Sequence, residues 1–301
     1  MRRPRNRSIP MSRSWYFTSK ELEHNSPSRR DGITLAKESQ LRSEYCSHIQ
    51  KVCQNLRLPN FTVATAMLLC HRFYARQSHA KNCCHTVASA CVLLASKVQD
   101  TPRAVKDVMH VVYGREIQDQ INEMMKNYKI KNPHDVTKCD EYAIKIVELL
   151  KRDKRELIMA AERLVLKTIG FDLDVELPYK ALAAALKRLT SDVVPGLAEV
   201  AWSLVEEWLK TSLCLQYKPR YIAVGSVVVA ARVLKLKLPA GEKWLEELGV
   251  LPEVLDEVVR GMQSKICKQK TKETIRVVSF YEIITCRPLD RQIARPNDLT
   301  A

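Results

Sequence analysis

The sequence has 301 residues, enough for two domains with a core each, and 46% of them are hydrophobic. Only 8 are glycine, and the closest two, Gly241 and Gly249, lie too far apart to write GxGxxG, GxxxxGK or GxSxG, which excludes Rossmann, P-loop and nucleophile-elbow enzymes. Few glycines also leave few places for tight hairpins, so an all-α fold is expected, and 49 Lys+Arg against 34 Asp+Glu (+15) favour an acidic partner without naming one.

The first 20 residues carry Arg2, Arg3, Arg5, Arg7, Arg13 and Lys20 and no acid, which reads as a solvated tail, a nuclear import signal or, less naturally, a transit peptide. Thr18 and Glu21 stand in capping-box spacing and predict a short helix to His24, ended by Asn25-Ser26-Pro27. From Thr34, Leu41, Tyr45, Ile49, Val52 and Leu56 form one helical stripe that stops before Pro59, and Val63, Met67, Cys70 and Tyr74 form the next. Thr86 to Val98 is apolar on nearly every side, as expected of the helix at a domain centre. Val105 to Val112 predicts a helix closed by Gly114, with another from Ile117 to Tyr128. Cys139 to Ile169 reads as one long helix or two, with Lys151 to Glu156 as a charged face or a break and Gly170 as the terminating residue. Further helices are expected near Tyr179–Leu189, Leu197–Leu213, Tyr221–Leu234 and Glu253–Ile266; Val277 to Ile284 reads equally as strand or helix.

Thr86 to Val98 matches Tyr221 to Val233 at an offset of 135, small residue on small and base on base, and the preceding helices match as well. Order and spacing predict a duplicated unit of about five helices. The longest uncharged apolar runs fall short of the ~18 residues of a membrane span, no secretory signal is expected, and Cys46, Cys53, Cys70 and Cys91 lie on apolar faces, so a reduced soluble protein without membrane partners is expected.

Candidate chemistry is sparse. His79, Cys83, Cys84 and His85 are the densest metal-capable group, but adjacent cysteines diverge on any backbone, so no metal or other cofactor is expected there. His71 lacks the glutamate of HExxH and reads as structural. Lys97 ends the most apolar helix, where a cation suits the helix dipole, and Glu162 is an acid among apolar positions. Nothing in the pattern supports catalysis by the chain itself.

Trp15-Tyr16-Phe17, Asn25 to Ile33, His71-Arg72-Phe73-Tyr74, Arg76 to Asn82 and Thr211 to Pro219 resemble segments of the cyclins, and among them the T/K-type transcriptional cyclins of plants, over roughly residues 15 to 265. The resemblance implies two tandem five-helix cyclin boxes with a short N-terminal helix: a basic extension over 1–33, boxes over 34–174 and 175–268, and a tail over 269–301. It further implies a nuclear, non-catalytic subunit that binds and activates a cyclin-dependent serine/threonine kinase by packing on the kinase's mobile helix. That kinase would be of the elongation type, acting on the RNA polymerase II tail. By motif match the kinase-binding residues would be Lys97, Val98, Asp100, Glu162, Leu166, Phe171 and Leu173. The chain departs from the family where Lys-Val-Glu-Glu becomes Lys97-Val98-Gln99-Asp100, and where the substrate-docking stretch reads Leu41-Arg42-Ser43-Glu44-Tyr45. Two competing readings share the fold: a transcription-factor-IIB-like nucleic-acid binder using Lys210, Lys218, Arg220, Arg232, Lys235 and Lys237, and a scaffold that binds no kinase.

Overall fold

The computed structural model describes residues 15–131, 136–189, 196–238 and 243–268. Among these every regular element is helical: α1 Ser19–His24, α2 Pro27–Arg30, α3 Leu35–Asn55, α4 Asn60–Tyr74, α5 Cys84–Val98, α6 Val105–Lys131, α7 Val136–Ile169, α8 Tyr179–Leu189, α9 Leu197–Leu209, a 3-10 turn at Ser212–Leu215, α10 Pro219–Val233, α11 Lys243–Glu246 and α12 Pro252–Lys268. Helices α3 to α7 form the first box and α8 to α12 the second, with α1 and α2 ahead of both.

Each box is built around one helix. In α5 every residue from Val87 to Ser96 is buried, and in α10 every residue from Tyr221 to Ala231. Small residues let neighbours approach from all sides, so α3, α4 and α7 pack on α5 while α8, α9 and α12 pack on α10. The duplication extends to the hydrogen bonds that end the two helices. Asp100 (φ +50°) and Lys235 (φ +56°) both turn left-handed, and the amides of Thr101 and Leu236 reach back to the carbonyls of Ser96 and Ala231, each at 2.8 Å and each pair 135 residues apart.

Several predicted ends move. The Thr18 box forms as expected, but Ser26 then caps a second short helix, α2, that the Asn25-Ser26-Pro27 break concealed. Helix α6 runs through Gly114 rather than ending there: Val108, Met109, Tyr113 and Ile117 are all buried on one face, and that packing outweighs the ~1 kcal/mol propensity cost of one glycine. Helix α7 is single. Its charged middle is fastened to α6 through Lys154, which pairs with Glu116 at 2.6 Å and lies over the Tyr113 ring. The helix expected over Leu197–Leu213 stops at Leu209 before the 3-10 turn, and Val277 to Ile284 lies outside the described residues.

The boxes meet along α4 and α9. His71, fully buried, donates from Nε2 to the Leu209 carbonyl at 2.8 Å, which leaves Nδ1 to accept from the Tyr45 hydroxyl. Asn60 adds a bond to Glu206 at 3.0 Å. Among the described residues no helix is long and apolar enough to cross a membrane.

Candidate functional site

Helices α5 and α7 of the first box lie side by side and, with the turn that follows α7, carry the residues of the motif match. Along α7, Ile158, Ala161, Val165 and Ile169 recur at spacings of 3, 4 and 4 and are buried against the core. That phase turns Glu162 toward α5, where its Oε1 meets Lys97 Nζ at 2.5 Å. The lysine is half exposed and the carboxylate mostly covered, at 50% and 14% side-chain exposure, so the pair is worth no more than about 1 kcal/mol to the fold. It presents an ordered donor and an ordered acceptor at little cost to reopen.

Of the other residues in the motif match, Val98 is half-buried and Asp100 exposed. Leu166 and Leu173 are partly buried against the core, and Phe171 stands 66% exposed. Gly170 (φ +67°) and Phe171 (φ +58°) are consecutive left-handed residues, closed by the Phe171 amide on the Leu166 carbonyl at 2.9 Å. Glycine takes this conformation freely; an aromatic residue does so at a cost.

Two apolar residues escaped the sequence reading. Leu157 and Leu164, one heptad apart, are each at least 40% exposed and give α7 an outer apolar edge beside its buried stripe, on the flank turned away from Glu162. The signal was present in the sequence as an apolar face wider than one stripe requires. The departures from the family pattern also find a physical place. Gln99 turns inward and donates to Thr65 Oγ1 at 3.0 Å, tying the end of α5 to α4 rather than facing outward. In the stretch Leu41 to Tyr45, Arg42 is buried against Glu38 at 3.3 Å and Tyr45 is fully buried, so neither is offered for docking.

The metal-capable cluster comes apart. His79 stacks on Tyr74 with ring centroids 3.6 Å apart, and neither ring nitrogen meets a partner among the described residues. Burial holds it neutral, its pKa pushed down to about 3. His85 instead packs edge-on against His48, and Cys83 occupies the position just before the first turn of α5. No three His, Cys, Asp or Glu side chains converge as metal ligands among the described residues. The six bases considered for nucleic acid are spread along the second box rather than clustered. Lys218 and Arg220 sit at the start of α10 and Lys235 and Lys237 beyond its end, about 22 Å apart along a 15-residue helix, while Lys210 is neutralised by Glu207 at 2.6 Å.

Residues 14–128 match the family described as Cyclin, N-terminal domain. The chain is 46% identical over 251 residues to Cyclin-T1-3 of Oryza sativa subsp. japonica, covering 83% of this chain and 47% of that protein. It is 42% identical over 248 residues to Cyclin-T1-3 of Arabidopsis thaliana, covering 82% and 72%. The chain thus spans under half the length of the rice protein. In three dimensions it is similar to a chain of the yeast RNA Pol II CTD kinase CTDK-1 complex, with TM-score 0.63, 15% identity and coverage of 92% of this chain and 78% of that one. A viral cyclin from herpesvirus saimiri gives TM-score 0.54 at 15% identity, covering 82% and 91%, and both likenesses speak to fold alone. Two five-helix units in tandem, matched at 42% identity to a relative covered over 72% of its length, establish that the chain belongs to the T-type cyclins.

Proposed function

We propose that the chain is the non-catalytic regulatory subunit of a cyclin-dependent kinase, and that its partner is a nuclear, elongation-type kinase acting on the RNA polymerase II tail. The observation that carries this reading is the Lys97–Glu162 pair, with Leu166 one turn further along the same face of α7 and the exposed Phe171 just past the helix end: charge-assisted hydrogen-bonding groups and apolar side chains together suit the backbone and apolar side of a partner helix. A helix held there is fixed in position, and in a protein kinase fixing the mobile helix sets the glutamate that orients the ATP-positioning lysine. The T1-type names of the relatives suggest the finer assignment.

The test is co-purification with a panel of cyclin-dependent kinases and assay of each complex on a polymerase-tail peptide. Lys97→Glu or Glu162→Lys is expected to leave helicity intact and lower activation at least about thirtyfold, as loss of a close interfacial charge contact does. The double variant restores the internal pair with reversed polarity and is expected to remain inactive. Activation restored in the double variant would reduce the pair to a structural strut and overturn the assignment. A folded chain that activates none of the panel would favour the scaffold reading, and steeply salt-dependent DNA binding would favour the nucleic-acid one.

A further inference from the structure

The turn that displays Phe171 is clamped from both sides by a residue 156 positions earlier. Trp15, 8% exposed, donates from Nε1 to Asp172 Oδ2 at 2.6 Å. The Arg76 guanidinium stacks on its ring at 3.8 Å and donates to the Thr168 carbonyl at 3.0 Å, holding the last turn of α7. Arg72 lies over the same ring at 5.0 Å, donates to the Asp172 carbonyl at 3.2 Å and pairs with its carboxylate at 3.5 Å. Residues 168 and 172 are therefore both fixed, and the two left-handed residues Gly170 and Phe171 are strung between them. Two residues beyond Trp15, the Phe17 amide bonds the Leu215 carbonyl at 2.8 Å, anchoring the same segment to the second box.

A bulky residue in the left-handed region persists only where its surroundings over-determine it, and such strain gathers at functional positions. Here it holds an aromatic ring in water. We propose that Trp15 is a positioning residue for partner binding: it locks the Gly170-Phe171-Asp172 turn so that Phe171 stands ready as a preformed anchor. The proposal rests on the reading of Phe171 as part of the kinase surface. Preorganisation of this kind acts on affinity, because the partner no longer has to order the turn, and leaves the activity of the assembled complex unchanged.

The test uses the full chain and the kinase it activates, titrated to find the half-activating concentration. Trp15→Ala is expected to raise that concentration about tenfold while the saturated rate stays the same. Trp15→Phe, which keeps the stack on Arg76 and loses only the bond to Asp172, should give a smaller rise and guards against a folding defect in the alanine variant. In a Phe171→Ala background Trp15→Ala should add nothing, since the latch acts through that ring. An equal shift in both backgrounds, or none in the wild type, would overturn the proposal while leaving the kinase surface standing. If Phe171→Ala itself leaves the half-activating concentration unchanged, the surface assignment fails and the proposal with it.

Discussion

The helices α5 and α10 are one design used twice, but the chain diverges downstream of them. Both are 15 residues long, buried on all sides, and ended by a left-handed residue with matched 2.8 Å closures. Among the described residues, α5 is followed by helices of 27 and 34 residues and α10 by helices of 4 and 17. The first box carries the Lys97–Glu162 pair where α5 and α7 meet at the surface. In the second box the residue equivalent to Lys97 is Arg232, with Asp256 as its neighbouring charge. Duplication preserved the packing device, while the divergence among the described residues lies around it rather than in it.

The largest predicted effect breaks the boxes apart by pH. All 7 histidines lie before residue 135, so the second box has none. In the first, burial pushes the pKa of His48 down to about 4 and those of His71 and His79 to about 3. Their folded values lie below the unfolded value of about 6.5, so at pH 7 all three are neutral in the folded state and mostly neutral in the unfolded one, and cost little. As pH falls below about 6.5 the unfolded chain takes up protons that the folded one refuses. Stability then drops by up to ~1.4 kcal/mol per pH unit for each histidine, roughly 4 for the three, down to about pH 3–4. Thermal melts from pH 7 to pH 4 should show the first box failing first. His79→Phe keeps the stack on Tyr74 without ring nitrogens, so its melting curve should lose about a third of the acid slope; an unchanged slope would mean His79 protonates without penalty.

Next in size is a packing contrast at one repeat position. Ala90 of α5 and Gly225 of α10 are equivalent, yet a Cβ at Gly225 would come within 3.2 Å of both Val258 and Met262 of α12. Gly225→Leu is therefore expected to destabilise the second box by about 3 kcal/mol, whereas Ala90→Gly should cost the first only about 1. Urea titration measures both. Comparable losses would show that α12 yields to the larger side chain and that the glycine is dispensable.

Much of this architecture is legible in the sequence because its carriers are local. The stripe from Leu41 to Leu56, the apolar helix Thr86–Val98 and the 135-residue offset each rest on spacing alone. The elements that sequence misplaces are those decided by distant partners. Gly114 reads as a helix end until Tyr113 and Ile117 are seen buried, and Lys151 to Glu156 reads as a break until Lys154 is seen on Glu116 and Tyr113. The site divides in the same way. Motif resemblance marks Lys97, Glu162 and Phe171 but not their mutual arrangement, because residues 97 and 162 meet only after α5 packs on α7. Trp15 reads as an aromatic in need of a surface; that its surface is two arginines and the Phe171 turn depends on contacts up to 157 residues apart.

The smallest expected effect sharpens the comparison at the shared helix end. Asp100 and Lys235 both occupy the left-handed region, a conformation that costs a lysine about 1–2 kcal/mol and an aspartate less, since its short polar side chain tolerates that region. Glycine removes that cost but spends roughly 0.5–1 kcal/mol on the extra freedom of the unfolded chain. Lys235→Gly should therefore stabilise by about 0.5–1 kcal/mol, a rise in Tm of about 2 °C, while Asp100→Gly should be close to neutral. The two variants part again in the kinase assay. Lys235 lies at the α10 end, away from the proposed surface, and its replacement should leave activation untouched; Asp100 stands three residues beyond Lys97, and losing its carboxylate should weaken activation a fewfold. A stabilised Lys235→Gly chain with impaired activation would place the kinase on the second box as well and end the division of labour drawn between the two repeats.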